Sequence, residues 1–170
     1  MISQSYSYDS VWRRQLSVAV PNILRGQTDH LSIEEVYRAA YGAVINKCAD
    51  RLLNDIRQCV FKHLRSVDIP PSGDPQALLE HYKQFKNSVR LLTNSMMYME
   101  RTYLAQYQMT LSVICLKIYF DSLSITSLDK TLAHFLHSSN DQDSINNVSL
   151  MILELQQAVA LTMPQSLQYS

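Results

Sequence analysis

A chain of 170 residues with 46% apolar side chains has the length of one domain and enough apolar surface to bury a core. Fifteen acidic side chains balance fifteen basic ones, which argues against a nucleic-acid binder held by global charge. Three glycines, Gly26, Gly42 and Gly73, are too few for a Gly-rich phosphate loop, a collagen-like repeat or a turn-dense β fold.

Cys48, Cys59 and Cys115 are an odd number set in apolar runs, which fits free thiols in a reducing compartment better than a disulfide framework. The opening MISQSYSYDS has neither a basic n-region nor an apolar h-region, and no apolar run nears the roughly 20 residues of a membrane span. These features predict an intracellular protein of the cytoplasm or nucleus, with no membrane or nucleic-acid partner.

Residues 1–10 read as a loose Ser/Tyr-rich tail, or as a docked one with Tyr6 and Tyr8 packed. Trp12, Leu16, Ala19 and Val20 then predict a helix over 11–24 that Pro21 stops or kinks near Val20 and Gly26 closes. Ser32 caps the next helix, with Glu35 as capping-box partner and Leu31 as staple onto Val36. Without a proline before Pro70, the pattern predicts one long helix over 32–65, on the order of 50 Å at ~1.5 Å per residue. Pro70-Pro71-Ser72-Gly73 is a break, and Asp74 with Pro75 opens a second long helix over 75–105. Its seam runs Leu78, Tyr82, Phe85, Val89, Leu92, Met96, Met99, Tyr103, alternating steps of four and three. A corner at 106–110 and helices over 111–122, 127–138 and 145–162 complete the reading, with 163–170 as a C-terminal tail. The predicted fold is a single all-α bundle of about six helices spanning 11–162, its two long helices packed side by side.

Chemistry-bearing constellations are sparse. His134/His137 and Cys59/His63 lie at helical spacing, but each supplies only two metal ligands. Asp141 and Asp143 lack the glycine and terminal glutamate of a calcium loop. No nucleophile elbow, Walker sequence or paired acid–base motif occurs. The expected protein is not an enzyme and holds no cofactor; a small helical enzyme or metal protein built on those pairs is the alternative.

The long helices carry more apolar surface than one core needs. Ile33, Tyr37, Tyr41, Val44 and Cys48 fall on one side of helix 32–65, and Val36, Ala39, Ala40 and Ala43 on the adjacent side. Together they span roughly 200°, about twice the ~100° stripe of a surface helix. On helix 75–105, Leu91 and Tyr98 lie opposite the seam, flanked by Asn94 and Arg101 with Met97 between the faces. A Leu–Tyr pair beside an adaptable Met and a rim Arg fits a partner-binding patch; burial by another helix of the same domain is the competing explanation.

These stretches are familiar. LSIEEVYRAAY at 31–41, running on to FKHL at 61–64, resembles the second helix of the cullin N-terminal repeat. SMMYMERTYL at 95–104 is similar to the fifth helix of the cullin that recruits BTB-domain adaptors, and VICLKIYFDSL at 113–123 is similar to the family helix that follows. By its length the chain resembles the short stand-alone cullin-domain proteins, of which the cyclin-dependent-kinase-associated type is one. The resemblance spans about 11–160. It implies an adaptor-docking surface made by Leu31, Ile33, Glu34, Tyr37 and Tyr41 on one helix and by Tyr98 with its neighbours on the other. It also implies a regulator of the cell cycle or of ubiquitin ligases that acts by binding a BTB-type adaptor or a cyclin-dependent kinase, without the RING-binding, neddylated domain of full cullins.

Overall fold

The computed structural model describes residues 6–67, 75–123, 142–161 and 163–167, with the single positions 133 and 137. Every regular element among these residues is helical, so the all-α class holds. In chain order they are α1 (Tyr8–Val11), a π-helical turn (Trp12–Leu16), α2 (Ser17–Leu24), α3 (Ile33–Ile45), α4 (Ala49–Ser66), α5 (Pro75–Ser95), α6 (Met97–Thr102) and a 3-10 turn (Leu104–Tyr107). α7 (Leu111–Ser122), α8 (Gln142–Ala160) and a last 3-10 turn (Gln165–Leu167) follow. The predicted helix 127–138, the Pro70–Gly73 break and the Asp74 cap lie outside the described residues.

Two helix ends show why one break was legible and another was not. After α2, Gly26 at φ 72° donates to the Ile23 carbonyl at 3.0 Å, and Gln27 donates to Asn22 at 2.9 Å. This pair of reversed bonds satisfies the last carbonyls, and glycine adopts the left-handed backbone it needs without penalty. The same pair ends α3: Lys47 donates to Val44 at 3.0 Å and Cys48 to Ala43 at 2.9 Å, with Lys47 itself at φ 60°. The Asn46 side chain adds a bond to the Gly42 carbonyl at 2.8 Å. The predicted helix 32–65 is therefore two helices, separated by a turn whose left-handed residue is a lysine.

The predicted helix 75–105 is also divided. Met96 leaves helical geometry at φ −103°, ψ 18°, and its N–H is shared between the Leu92 and Thr93 carbonyls. Ser95 Oγ bonds back to the Leu91 carbonyl at 2.9 Å, a local bond that competes with the ladder. The seam nevertheless stays in the core: Leu78, Tyr82, Phe85, Val89, Leu92, Met96 and Met99 are all buried, and Tyr103 is half-buried. Pro21, by contrast, neither stops nor ends its helix, which runs on to Leu24. Leu16, Ala19, Val20, Ile23 and Leu24 are all buried there, and that packing outweighs the lost backbone bond; the irregularity is the π turn upstream.

Packing follows the breaks. α3 lies on α5 and α6, while α4 lies on α7 and α2, so only the first half of the predicted long helix runs beside its expected partner. Thr110 caps α7 by accepting the Val113 N–H, and Glu100 reaches from α6 to accept the Leu111 N–H at 2.5 Å. Neither chain end is wholly loose. Tyr8 is buried, its hydroxyl donates to Asp55 at 2.6 Å, and the Arg51 guanidinium lies over its ring while pairing with Asp9. Leu167 is buried as well, with its carbonyl accepting from the Arg57 guanidinium. Over 6–10 the segment is the docked alternative, with Tyr8 buried and Tyr6 packed against the core, and the tail reading of 163–170 is corrected for 163–167, where Leu167 completes the core.

α4 and α5 flank a cleft of about 480 Å³ that holds Arg25, His63 and His81. Burial lowers both imidazole pKa values from the ordinary 6.5, with His81 and Arg25 adding to the effect at His63. His81 Nδ1 shares a hydrogen bond of 2.9 Å with the Tyr119 hydroxyl.

Leu92 is fully buried, so Leu92→Ala costs about 2–5 kcal/mol in urea unfolding; an unchanged midpoint contradicts the seam. The histidines set a pH dependence. Their folded pKa values lie below the unfolded one, so the unfolded chain takes up protons first as pH falls below about 6.5. Stability therefore drops between about pH 7 and pH 5.5, and His63→Gln/His81→Gln drops less over the same interval. An equal drop in both proteins contradicts this origin.

Candidate functional site

α3 presents two apolar faces, and they have different fates. Val36, Ala39, Ala40 and Ala43 are buried, their short side chains seating the helix on α5 and α6. The adjacent face stays accessible: Ile33, Tyr37 and Val44 are half-buried, and Tyr41 is 40% exposed. One turn separates Tyr37 from Tyr41, and their rings stack at 6.3 Å and 27°. α6 supplies the third ring. Tyr98 meets Tyr41 at 4.5 Å with the planes inclined at 58°, so the three tyrosines form one continuous row across two helices.

The remaining predicted positions surround this row unevenly. Leu31 and Ile33 are half-buried at the start of α3 and pack against the core with one side. Glu34 is exposed and paired with Arg38 one turn on, an ion pair too solvated to stabilise the fold appreciably. Met97, next to Tyr98, is 37% exposed, and Arg101 is exposed at the far end of α6. Leu91 behaves differently. It sits on α5 before the Met96 break, half-buried against the core, so its seven-residue spacing from Tyr98 is no longer a repeat along one helix.

Beyond Tyr98 the surface drops into a shallow cleft of about 470 Å³ lined by Val44, Lys47, Asp50, Tyr98, Tyr103 and Gln106. Burial pushes the Tyr103 phenol above its ordinary value of 10.0, with its neighbour Tyr107 adding to the effect, so it remains a neutral hydrogen-bonding group. Sequence reasoning missed this cleft. It exists because the chain turns at Lys47, which places Lys47 and Asp50 beside α6 rather than along a straight helix. Ile45, 52% exposed one turn beyond Tyr41, was missed too; the i, i+4 spacing from Tyr41 was the available signal.

The rings are amphipathic, each pairing an apolar face with a hydroxyl that a partner can hydrogen-bond. Cys59 and His63, the metal-ligand pair of the alternative reading, are both half-buried; burial raises the thiol pKa and lowers that of the imidazole. Among the described residues no three His, Cys, Asp or Glu side chains come together as a metal site. His137 is exposed and His134 lies outside the described residues. No described helix is long and apolar enough to cross a membrane.

Comparison with known proteins agrees with this geometry. The family described as the cullin alpha solenoid domain matches residues 13–163. The chain is similar to Cullin-3 of Dictyostelium discoideum, 34% identical over 109 residues that cover 61% of this chain and 14% of the relative. It is similar to Cullin-3 of Caenorhabditis elegans, 28% identical over 146 residues covering 82% and 18%. Cullin-3B of Arabidopsis thaliana is 25% identical over 167 residues covering 89% and 23%. The chain thus spans less than a quarter of the length of these relatives. Since the family match takes in every helix from α2 to α8, including the two that carry the tyrosine row, the chain belongs to the cullin family.

Proposed function

We propose that this chain is a non-catalytic docking module whose α3 and α6 together receive a BTB-type adaptor protein. The observation that carries the reading is the contact of Tyr41 with Tyr98 at 4.5 Å, which joins two helices into one aromatic surface, with Tyr41 exposed and Tyr37 and Tyr98 half-buried. Such rings release substantial apolar area from water when covered, while their hydroxyls keep a partner for hydrogen bonding. Met97 adapts its unbranched side chain to the partner, and Arg101 with the Glu34–Arg38 pair forms a polar rim. Leu31 and Ile33 extend the surface at the start of α3. Leu91 contributes through the packing beneath α6 rather than by direct contact.

Membership in the cullin family and similarity to Cullin-3 proteins support a role in ubiquitin ligase assembly. They favour an adaptor over a cyclin-dependent kinase as the direct partner, since the aromatic row falls on the helices that resemble the adaptor-recruiting ones. An adaptor seated here has its cullin-facing surface occupied. Through that occupancy the module regulates ubiquitin ligases, and through them the cell cycle, in the cytoplasm or nucleus.

Titration of purified BTB domains into the chain tests the proposal. Tyr98→Ala weakens binding by more than ~1 kcal/mol, as truncation of an aromatic anchor does, and Tyr41→Ala does likewise. Both variants keep melting temperatures near that of the unsubstituted chain, because the rings lie outside the closed core. Unchanged affinity in both variants, or no binding by the unsubstituted chain, contradicts the reading.

A further inference from the structure

We propose that the cleft between the end of α2 and the helices α4 and α5 is an anion site that takes a phosphate dianion, free or as the phosphate of a monoester. Three elements bring hydrogen-bond donors to one hollow of about 480 Å³. Arg25 stands at the end of α2, His63 in the last turn of α4, and His81, Gln84, Asn87 and Ser88 on two successive turns of α5. Each of these side chains can donate, and among the described residues no carboxylate lines the cleft. Arg25 and His81 lie near enough to His63 for their charges to oppose its protonation.

The fold does not use these donors for itself. The α2 carbonyls beside Arg25 are already bonded by the Gly26 and Gln27 N–H groups, so the guanidinium is not needed as a cap. Among the described residues Arg25 has no ion-pair partner and the His63 ring no hydrogen bond. His81 is held in place by Tyr119, which is fully buried and meets Nδ1 at 2.9 Å. A buried hydroxyl gives its proton to the acceptor beside it, so Tyr119 donates to Nδ1 and the neutral ring carries its own proton on Nε2. That Nε2–H is the donor His81 offers a ligand.

The spread of donors selects the anion. A carboxylate has two oxygens, and a single arginine fork satisfies both. Donors on three separate elements match the three terminal oxygens of a phosphate monoester, whose charge of about −1.5 to −2 also supplies the counter-charge this basic cluster lacks. Burial keeps both imidazoles neutral in the free chain, and a bound dianion favours their protonation. The cleft shares no lining residue with the tyrosine row, so the site is independent of adaptor docking.

NMR of the histidine ring signals of the full chain, with inorganic phosphate titrated to about 30 mM at about pH 6.5 and constant ionic strength, tests the site. The His63 and His81 signals shift together and saturate, while those of His30, His134 and His137 stay in place. Arg25→Ala, at an exposed position, weakens the response roughly tenfold or more, as loss of a charge-assisted hydrogen bond does, and Arg25→Lys restores part of it. Arg90→Ala, which removes an exposed arginine of α5 outside the cleft, responds like the unsubstituted chain. A short phosphoserine peptide separates the two sources. Saturation at lower concentration than inorganic phosphate supports a phosphorylated protein segment as the ligand, and saturation only at higher concentration supports the free anion. Shifts no larger than sodium chloride produces, a uniform shift of all the histidines, or an unchanged response of Arg25→Ala overturns the proposal.

Discussion

The short side chains of Val36, Ala39, Ala40 and Ala43 let α3 settle closely against α5 and α6, and the rest of the surface follows from that seat. Small residues at a helix contact allow a close approach. With this face in the core, the next face of the same helix must emerge beside α6. Tyr41 then reaches Tyr98, and two separate helix surfaces become one. A larger residue at Ala43, which is wholly buried, would lift α3 and separate the rings without touching either of them.

Two interruptions complete the geometry. The Lys47 turn directs α4 away onto α7 and opens the cleft beside Tyr98. The Met96 break separates α6 from α5 while leaving both on the same buried seam. Across the Met96 break the buried seam continues, whereas across the Lys47 turn the buried face changes partners as well as direction. These two irregularities lie beside the tyrosine row.

What the sequence made legible were features with a local chemical cause. Ser32 caps α3 through the Glu35 N–H, Gly26 ends α2 in the left-handed region, and the Leu78–Met99 seam is buried as its spacing requires. The two-faced character of α3 was also legible, because alanines and tyrosines segregate at helical period. The turn at Lys47 was not. A lysine carries no preference for φ 60°, and the bonds that hold it there come from residues on both sides of the break. Met96 itself has good helical propensity, and the bond from Ser95 Oγ back to the Leu91 carbonyl that accompanies its break is one that serines also make inside unbroken helices. Burial of Tyr8 and Leu167 depends on Asp55 and Arg57, more than forty residues away in each case, and no local pattern announces such pairings. Leu91 was misjudged for a related reason: a heptad spacing has meaning only while the helix continues.

The α3–α6 surface combines rings, a thioether and a charged rim, which suits a specific and directional partner. The central claim is that α3 and α6 act as one docking surface, and hydrogen–deuterium exchange of the chain with and without a saturating BTB domain tests it most directly. The account predicts slowed exchange in Ile33–Ile45 and Met97–Thr102 together, with Gln142–Ala160 unaffected. Protection confined to other helices, with α3 and α6 exchanging as in the free chain, would contradict it.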